Sequence, residues 1–194
     1  VKFLFTQMMD ISLNDENEIC FEGDVLLTFS NPETNNDEQQ STHIKFLVKR
    51  TDGTIESTRI ELSTDSNLFF FYISEYTSET FNQLKAAQNL DPDLDFESFP
   101  EMVRDILINS EENGDYETTF IFEDEEKGTL KLTQKLKFKK VEIFSLEFIK
   151  ASDEEITNQV QFRYNQARGE LKAARTELSD LYAMLKIKNP SVLK

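Results

Sequence analysis

The segment KLKFKKVEIF, residues 135–144, sets four lysines around a single phenylalanine ahead of an alternating apolar run. Phe138 is in phase with Leu130, Leu132 and Leu136, and alternation alone places all four on the inner face of a strand. The charge argues otherwise. Lys135, Lys137, Lys139 and Lys140 lie within three residues of the ring, a density that suits a solvated tip better than a core. TLKLTQ before it and KVEIFSLEF after it read as two strands of a hairpin turning within Lys135–Lys139, although that stretch lacks Gly, Pro and Asn. From these residues alone Phe138 is either a core residue or an exposed apolar knob.

Outward from this hairpin the chain is strand-rich. YETTFIFED precedes it, with a turn at residues 125–128. Nearer the amino terminus, VLLTF (25–29) and IKFLVKR (44–50) flank a polar stretch, SNPETNNDEQQST, which reads as a loop. Asp52-Gly53 predicts a tight turn into TIESTRIEL, because such turns need positive φ. NLFFFYI (67–73) is apolar on both faces and reads as a central strand. Between the strand groups lie two short helices. In TSETFNQLKAAQNL, Ser78 is the expected cap and Asp91-Pro92 the stop. In ESFPEMVRDILIN, Ser98 and Glu101 have capping-box spacing, Pro100 sits in the first turn, and Asn113-Gly114 ends the run.

From Ser152 the periodicity changes. Ser152 and Glu155 form a capping-box pair, and the helical pattern continues to about Asn189, where Pro190 opposes continuation. Tyr164, Leu171, Leu178 and Leu185 fall at heptad a positions, with Val160, Ala167, Ala174 and Leu181 at d. A 3.5-residue period held over more than three heptads predicts a coiled coil rather than a helix packed on its own head. Two alanines in a short seam predict a weak dimer.

The composition supports a folded protein: 38% of residues are hydrophobic and 17 are Phe, with no Trp. Cys20 is alone, so no internal disulfide forms and an intracellular setting is expected. No apolar run approaches 18 residues, and VKFLFTQMMDIS is unlike a signal peptide, so a soluble protein is expected. The chain starts at Val1 without a methionine and reads as part of a longer one. One histidine, His43, rules out zinc sites built from His and Cys and leaves no Ser–His–Asp triad to choose; on its strand it reads as a polar-face residue. Five glycines include no phosphate-binding loop. DPDLDF lacks the Gly and terminal Glu of a calcium loop, and the pairs Glu111/Glu112 and Asp124/Glu125/Glu126 read as solvated surface. Neither an enzyme nor a cofactor is expected. The net charge is −16, with −17 in residues 1–150 and +1 in residues 151–194. So acidic a head makes a poor nucleic-acid binder.

The order of these elements resembles the amino-terminal region of the centriolar cartwheel proteins, the spindle assembly abnormal protein 6 family. The resemblance rests on Thr64-Asp65, Phe69-Phe70-Phe71-Tyr72, Phe81, Leu84-Lys85, Gln88, Leu90, Asp95-Phe96 and Phe99-Pro100, followed by LKLTQKLKFKKVEIFSLEFIKASDEEI. It covers about residues 60–190; residues 1–59 match only as strands. DPDL (91–94) lengthens the segment before Asp95-Phe96 by about two residues, and Pro190 would interrupt a stalk that is usually longer.

The resemblance implies an α+β fold. A small β-barrel or sandwich head with a helix–turn–helix insertion, like the heads of end-joining repair scaffolds, is followed by a long coiled-coil helix. The expected boundaries are a head over 1–150, a parallel coiled-coil dimerisation helix over 151–189 and a tail over 190–194. It also implies a structural scaffold of the centriole or basal body, cytoplasmic and cytoskeletal, whose partners are itself and other centriolar proteins, with no nucleic acid and no membrane. In such a scaffold parallel dimers join by reciprocal head contacts into a nine-fold ring. The tip position falls on Phe138, flanked by Lys137 and Lys139. Phe81, Leu84, Phe96, Phe99 and Val103 are the expected walls of the partner pocket. Lysines opposite an acidic head would steer the encounter and make it salt-sensitive. Two rivals share the pattern. A DNA end-joining scaffold predicts binding to DNA at physiological salt, and a generic coiled-coil adaptor predicts heads that stay monomeric without the stalk.

Overall fold

In the computed structural model, residues 17–32, 36–112 and 114–188 are described. The expected stop at Asn113, Pro190 with the tail, and the amino-terminal VKFLFTQMMDIS lie outside them. The chain divides into a head ending at Ile156 and a unit containing the helical residues from Thr157. Within the head, Asn17–Asn31 (β1), Asn36–Thr51 (β2), Thr54–Ser63 (β3) and Phe71–Thr77 (β4) precede two helices, Ser78–Gln88 (α1) and Phe99–Glu112 (α2). Tyr116–Phe122 (β5), Lys127–Leu136 (β6) and Lys139–Lys150 (β7) follow, and Asp153–Lys188 (α3) is the carboxyl-terminal helix.

The seven strands close in the order β1-β2-β3-β4-β7-β6-β5, with a short parallel pairing of β1 and β5 as the only non-antiparallel seam among the described strands. The barrel interior is aromatic. Phe120 is fully buried and contacts Phe29, Phe70, Tyr72, Phe122 and Phe148. Gly128 is required beside this cluster: a methyl group there would overlap the Phe120 ring, which cannot yield because its neighbours hold it. Gly128→Ala is expected to cost about 1–3 kcal/mol by overpacking, read as a lower urea midpoint with an unchanged slope.

Asp52 and Gly53 take positive φ (54° and 84°) in the turn between β2 and β3, as their residue types predict. Three local readings need correction. Among the described residues of the polar stretch 30–42 most are strand, with Leu26↔Ser41 through Asn31↔Asn36 in register, because this polar segment pairs through its backbone with β1, whose Leu27 and Phe29 supply the buried face. The β4 strand begins only at Phe71. Before it, the Thr64 hydroxyl and Asn67 organise a turn that leaves Leu68 and Phe69 exposed. The cap of α1 is Thr77 rather than Ser78, in a reciprocal box with Thr80. At α2 the Ser98 hydroxyl donates to the Asp95 carbonyl and its amide to the Asp95 carboxylate. The Ser152–Glu155 pair does form the predicted box at the start of α3.

A candidate head–head contact site

The β6–β7 hairpin outruns the barrel. The last pairing of β6 with β5 is Gln134↔Tyr116, whereas β6 and β7 continue together to Leu136↔Lys139. The Lys135 amide still donates to the Asp115 carbonyl, and the residues beyond it form a ribbon with no sheet neighbour, joined by a two-residue turn, Lys137-Phe138. Inward phase then leads out of the core: Leu130 and Leu132 are buried, while Leu136 is half exposed and Phe138 is 89% exposed. Alternation describes β6 only as far as Leu136. What it lacked was the point where the barrel wall stops. Lys137 Nζ stands 5.2 Å from the Phe138 ring centroid, a cation–π contact that leaves the far face of the ring open. Lys140 pairs with Glu117 on β5 and Lys131 on β6 with Glu142 on β7, bracing the base of the ribbon.

Phe81, Phe96, Phe99 and Val103 do come together, but as core. Phe81 and Phe99 pack with ring centroids 4.9 Å apart, Phe96 joins both, and all four side chains are buried between the helix pair and the barrel. Only Leu84 of the expected pocket set borders open space. It belongs to a cleft of about 490 Å³ between β4, β7 and α1, whose walls also include Ile73, Tyr76, Ala87, Gln88, Glu147 and Ile149.

The cleft exists because β4 and β7 pair at only two positions, Tyr72↔Lys150 and Ile73↔Ile149, and then part. Side chains replace the missing ladder. The Gln88 carboxamide donates to the Ser145 carbonyl and accepts from the Ser145 amide, both at 2.8 Å, so α1 occupies a strand's place beside β7. The Ser74 hydroxyl donates to the Glu147 carbonyl. These bonds satisfy the parted backbone and keep the cleft open instead of zipped. One signal in the sequence pointed here: Ile149 is apolar on the outward phase of β7, against inward Phe144, Leu146 and Phe148, and it is 55% exposed.

The rim of the cleft is tied to the start of α3 through Arg59 on β3. Its guanidinium donates to Glu61 (2.8 Å), Glu75 (2.7 Å) and Glu155 (3.2 Å). Burial works against the Arg59 charge, yet the bonds to Glu61, Glu75 and Glu155 outweigh it and raise its pKa. Burial likewise pushes the Glu155 carboxyl up, but hydrogen bonds from Ser152 and Arg59 prevail and hold it below the usual carboxylate range. His43 lies away from this site, bridging Asp24 and Glu22 at 2.9 and 3.0 Å.

In α3, Tyr164, Leu171, Leu178, Leu181 and Leu185 are all exposed on the single chain, with Ala167 and Ala174 between them and Val160 half-buried. Its 36 residues span about 54 Å at the helical rise.

A sheet-rich head followed by one long carboxyl-terminal helix is thus the class of protein that the architecture defines. The family described as the centriolar protein SAS N-terminal domain matches residues 19–148, and the chain belongs to that family of centriolar structural proteins. Solved structures share the fold. An N-terminal piece of Leishmania SAS-6 with part of its coiled coil is 20% identical, with a TM-score of 0.71 over 88% of this chain and 99% of that one. A Drosophila melanogaster Sas-6 piece, dimerised via its coiled-coil domain, is 16% identical with a TM-score of 0.73, covering 92% of this chain and 87% of that one. The N-terminal coiled-coil dimer of C. elegans SAS-6 is 16% identical with a TM-score of 0.64, covering 86% and 99%. No curated protein matches the sequence significantly.

Proposed function

We propose that the protein is a self-assembling scaffold of the centriolar cartwheel, built from itself through two contacts. Residues 1–150 act as the head, and residues 151–189 pair in parallel with a second copy along the seam Val160, Tyr164, Ala167, Leu171, Ala174, Leu178, Leu181 and Leu185. Exposure of the large seam residues on the isolated chain supports that pairing. The heads, barrels capped by a helix–turn–helix, then pair reciprocally: Phe138 of each enters the other's cleft, against Leu84, Ala87 and Ile149.

The observation that carries this reading is Phe138 itself, a large apolar ring 89% exposed at the tip of a ribbon that outruns its neighbouring strand. The cleft supplies apolar walls of a size to receive one ring. Two different two-fold contacts in one chain generate a closed ring or an open helix, depending on the angle between their axes. In the nine-fold cartwheel that angle closes. It is relayed through the segment from Ile149 to Ile156, which joins the head to α3.

Sedimentation of the whole chain over a concentration series tests the proposal. Dimers that associate further as concentration rises support it. A dimer that stays a dimer at every concentration, or monomers throughout, sinks it.

A further inference from the structure

The lysines around Phe138 divide into two sets. Lys131 and Lys140 have carboxylate partners on neighbouring strands, whereas among the described residues Lys135, Lys137 and Lys139 have none. The cleft shows the opposite imbalance. It has two carboxylates, Glu75 and Glu147, and no lysine or arginine among its lining residues. Glu75 is occupied by Arg59, but the Glu147 side chain is exposed and among the described residues meets no cation. The outward phase of β7 sets Glu147 two residues from Ile149, on the same face and at the same opening.

We propose that Glu147 is the specificity residue of the acceptor cleft: it pairs with Lys137 and Lys139 of a second copy of this chain and selects the orientation in which Phe138 enters. The inference rests on the reading of Phe138 as the inserted ring. Lys137, inside the turn, and Lys139, the first residue of β7, flank that ring, so a carboxylate at the cleft mouth meets an ammonium whichever way the ring rolls. Exchange of water for a counter-charge at a half-exposed rim adds little affinity, but a like charge there opposes docking strongly. Head pairing therefore weakens with added salt, and chains whose cleft carries a cation are excluded from the assembly.

The reciprocal geometry allows a test in which neither protein is wild type. One variant is Lys137→Glu with Lys139→Glu, which sets acid against acid in every self-pairing. The other is Glu147→Lys, which sets base against base. Each alone is expected to lose higher association by about tenfold or more in sedimentation of the whole chain. An equimolar mixture is expected to recover it, because both contacts between unlike heads are then attractive. Unchanged circular dichroism melts separate lost pairing from lost folding at these exposed sites. If Glu147→Lys associates as wild type does, or if the mixture stays as weak as its components, the charge pairing is wrong while insertion of Phe138 still stands. If Phe138→Glu also leaves association unchanged, the underlying reading falls with it.

Discussion

Phe138→Glu is expected to leave the α3-mediated dimer intact and to abolish every larger assembly. The physical reason is the size of the contact. Burying one phenylalanine contributes about 1.5–3 kcal/mol, so the reciprocal pair contributes roughly 3–6 kcal/mol. Association itself costs an estimated 4–15 kcal/mol. Wild-type head pairing is accordingly expected to be weak, on the order of micromolar or poorer, with the proposed assemblies depending on closure to make the final contacts intramolecular. A contact so near its threshold has no reserve. A carboxylate in place of the ring removes the apolar contribution and brings an acid to a cleft already bearing Glu75 and Glu147. Because Phe138 stands clear of the barrel, the head should melt as wild type does. Sedimentation and electron microscopy of the two proteins at equal concentration check the outcome. Curved assemblies that persist in the variant would make Phe138 incidental.

Arg59→Met is expected to destabilise the head by about 1–3 kcal/mol, since Arg59 is partly open to solvent and only one of its three partners is buried. Glu61 accounts for most of this, since its side chain is 4% exposed, whereas Glu75 and Glu155 are more open and contribute less. Methionine keeps much of the packing of the arginine stem, so the loss reports charge rather than volume. Urea unfolding reads it. Glu155 adds a pH signature to the same cluster. Its folded pKa lies below its unfolded one, so its contribution to stability is present above the ordinary glutamate range. That contribution is lost as pH falls through the depressed folded value. The stability gap between wild type and Glu155→Gln should therefore be full at neutral pH and vanish in acid. A gap independent of pH would contradict the Ser152 and Arg59 bonds to this carboxylate.

Much of the head was legible because local chemistry and tertiary structure agree. Asp52-Gly53, Ser152-Glu155 and the alternation of β5, β6 and β7 each formed as their residues dictate. The family itself was legible in the run from Thr64 to Pro100. What stayed hidden is non-local. Whether an inward-phase residue is buried depends on where neighbouring strands end, so Phe138 could not be placed until the β5–β6 pairing was seen to stop at Gln134. The cleft proposed as the acceptor was hidden for a related reason. Phe81, Phe96, Phe99 and Val103 have the periodicity of a helix face, and periodicity cannot tell a wall against solvent from a wall against a barrel. The cleft arises where two strands fail to pair, and Ile149, apolar and exposed on the outward phase, borders it. Gln88 was visible as a motif residue, but its part as a surrogate strand beside Ser145 follows only from β7 lying next to α1.

Photo-cross-linking tests most directly whether the Phe138 ring enters a second chain's cleft. Benzoylphenylalanine in place of Phe138 keeps an aromatic knob, and mixing isotopically light and heavy chains separates links between copies from links within one. Illumination at a concentration where the dimers associate is expected to join residue 138 to peptides of the other copy spanning residues 73–88 or 145–149. Links confined to its own chain, or to any other surface of the partner, would contradict the account.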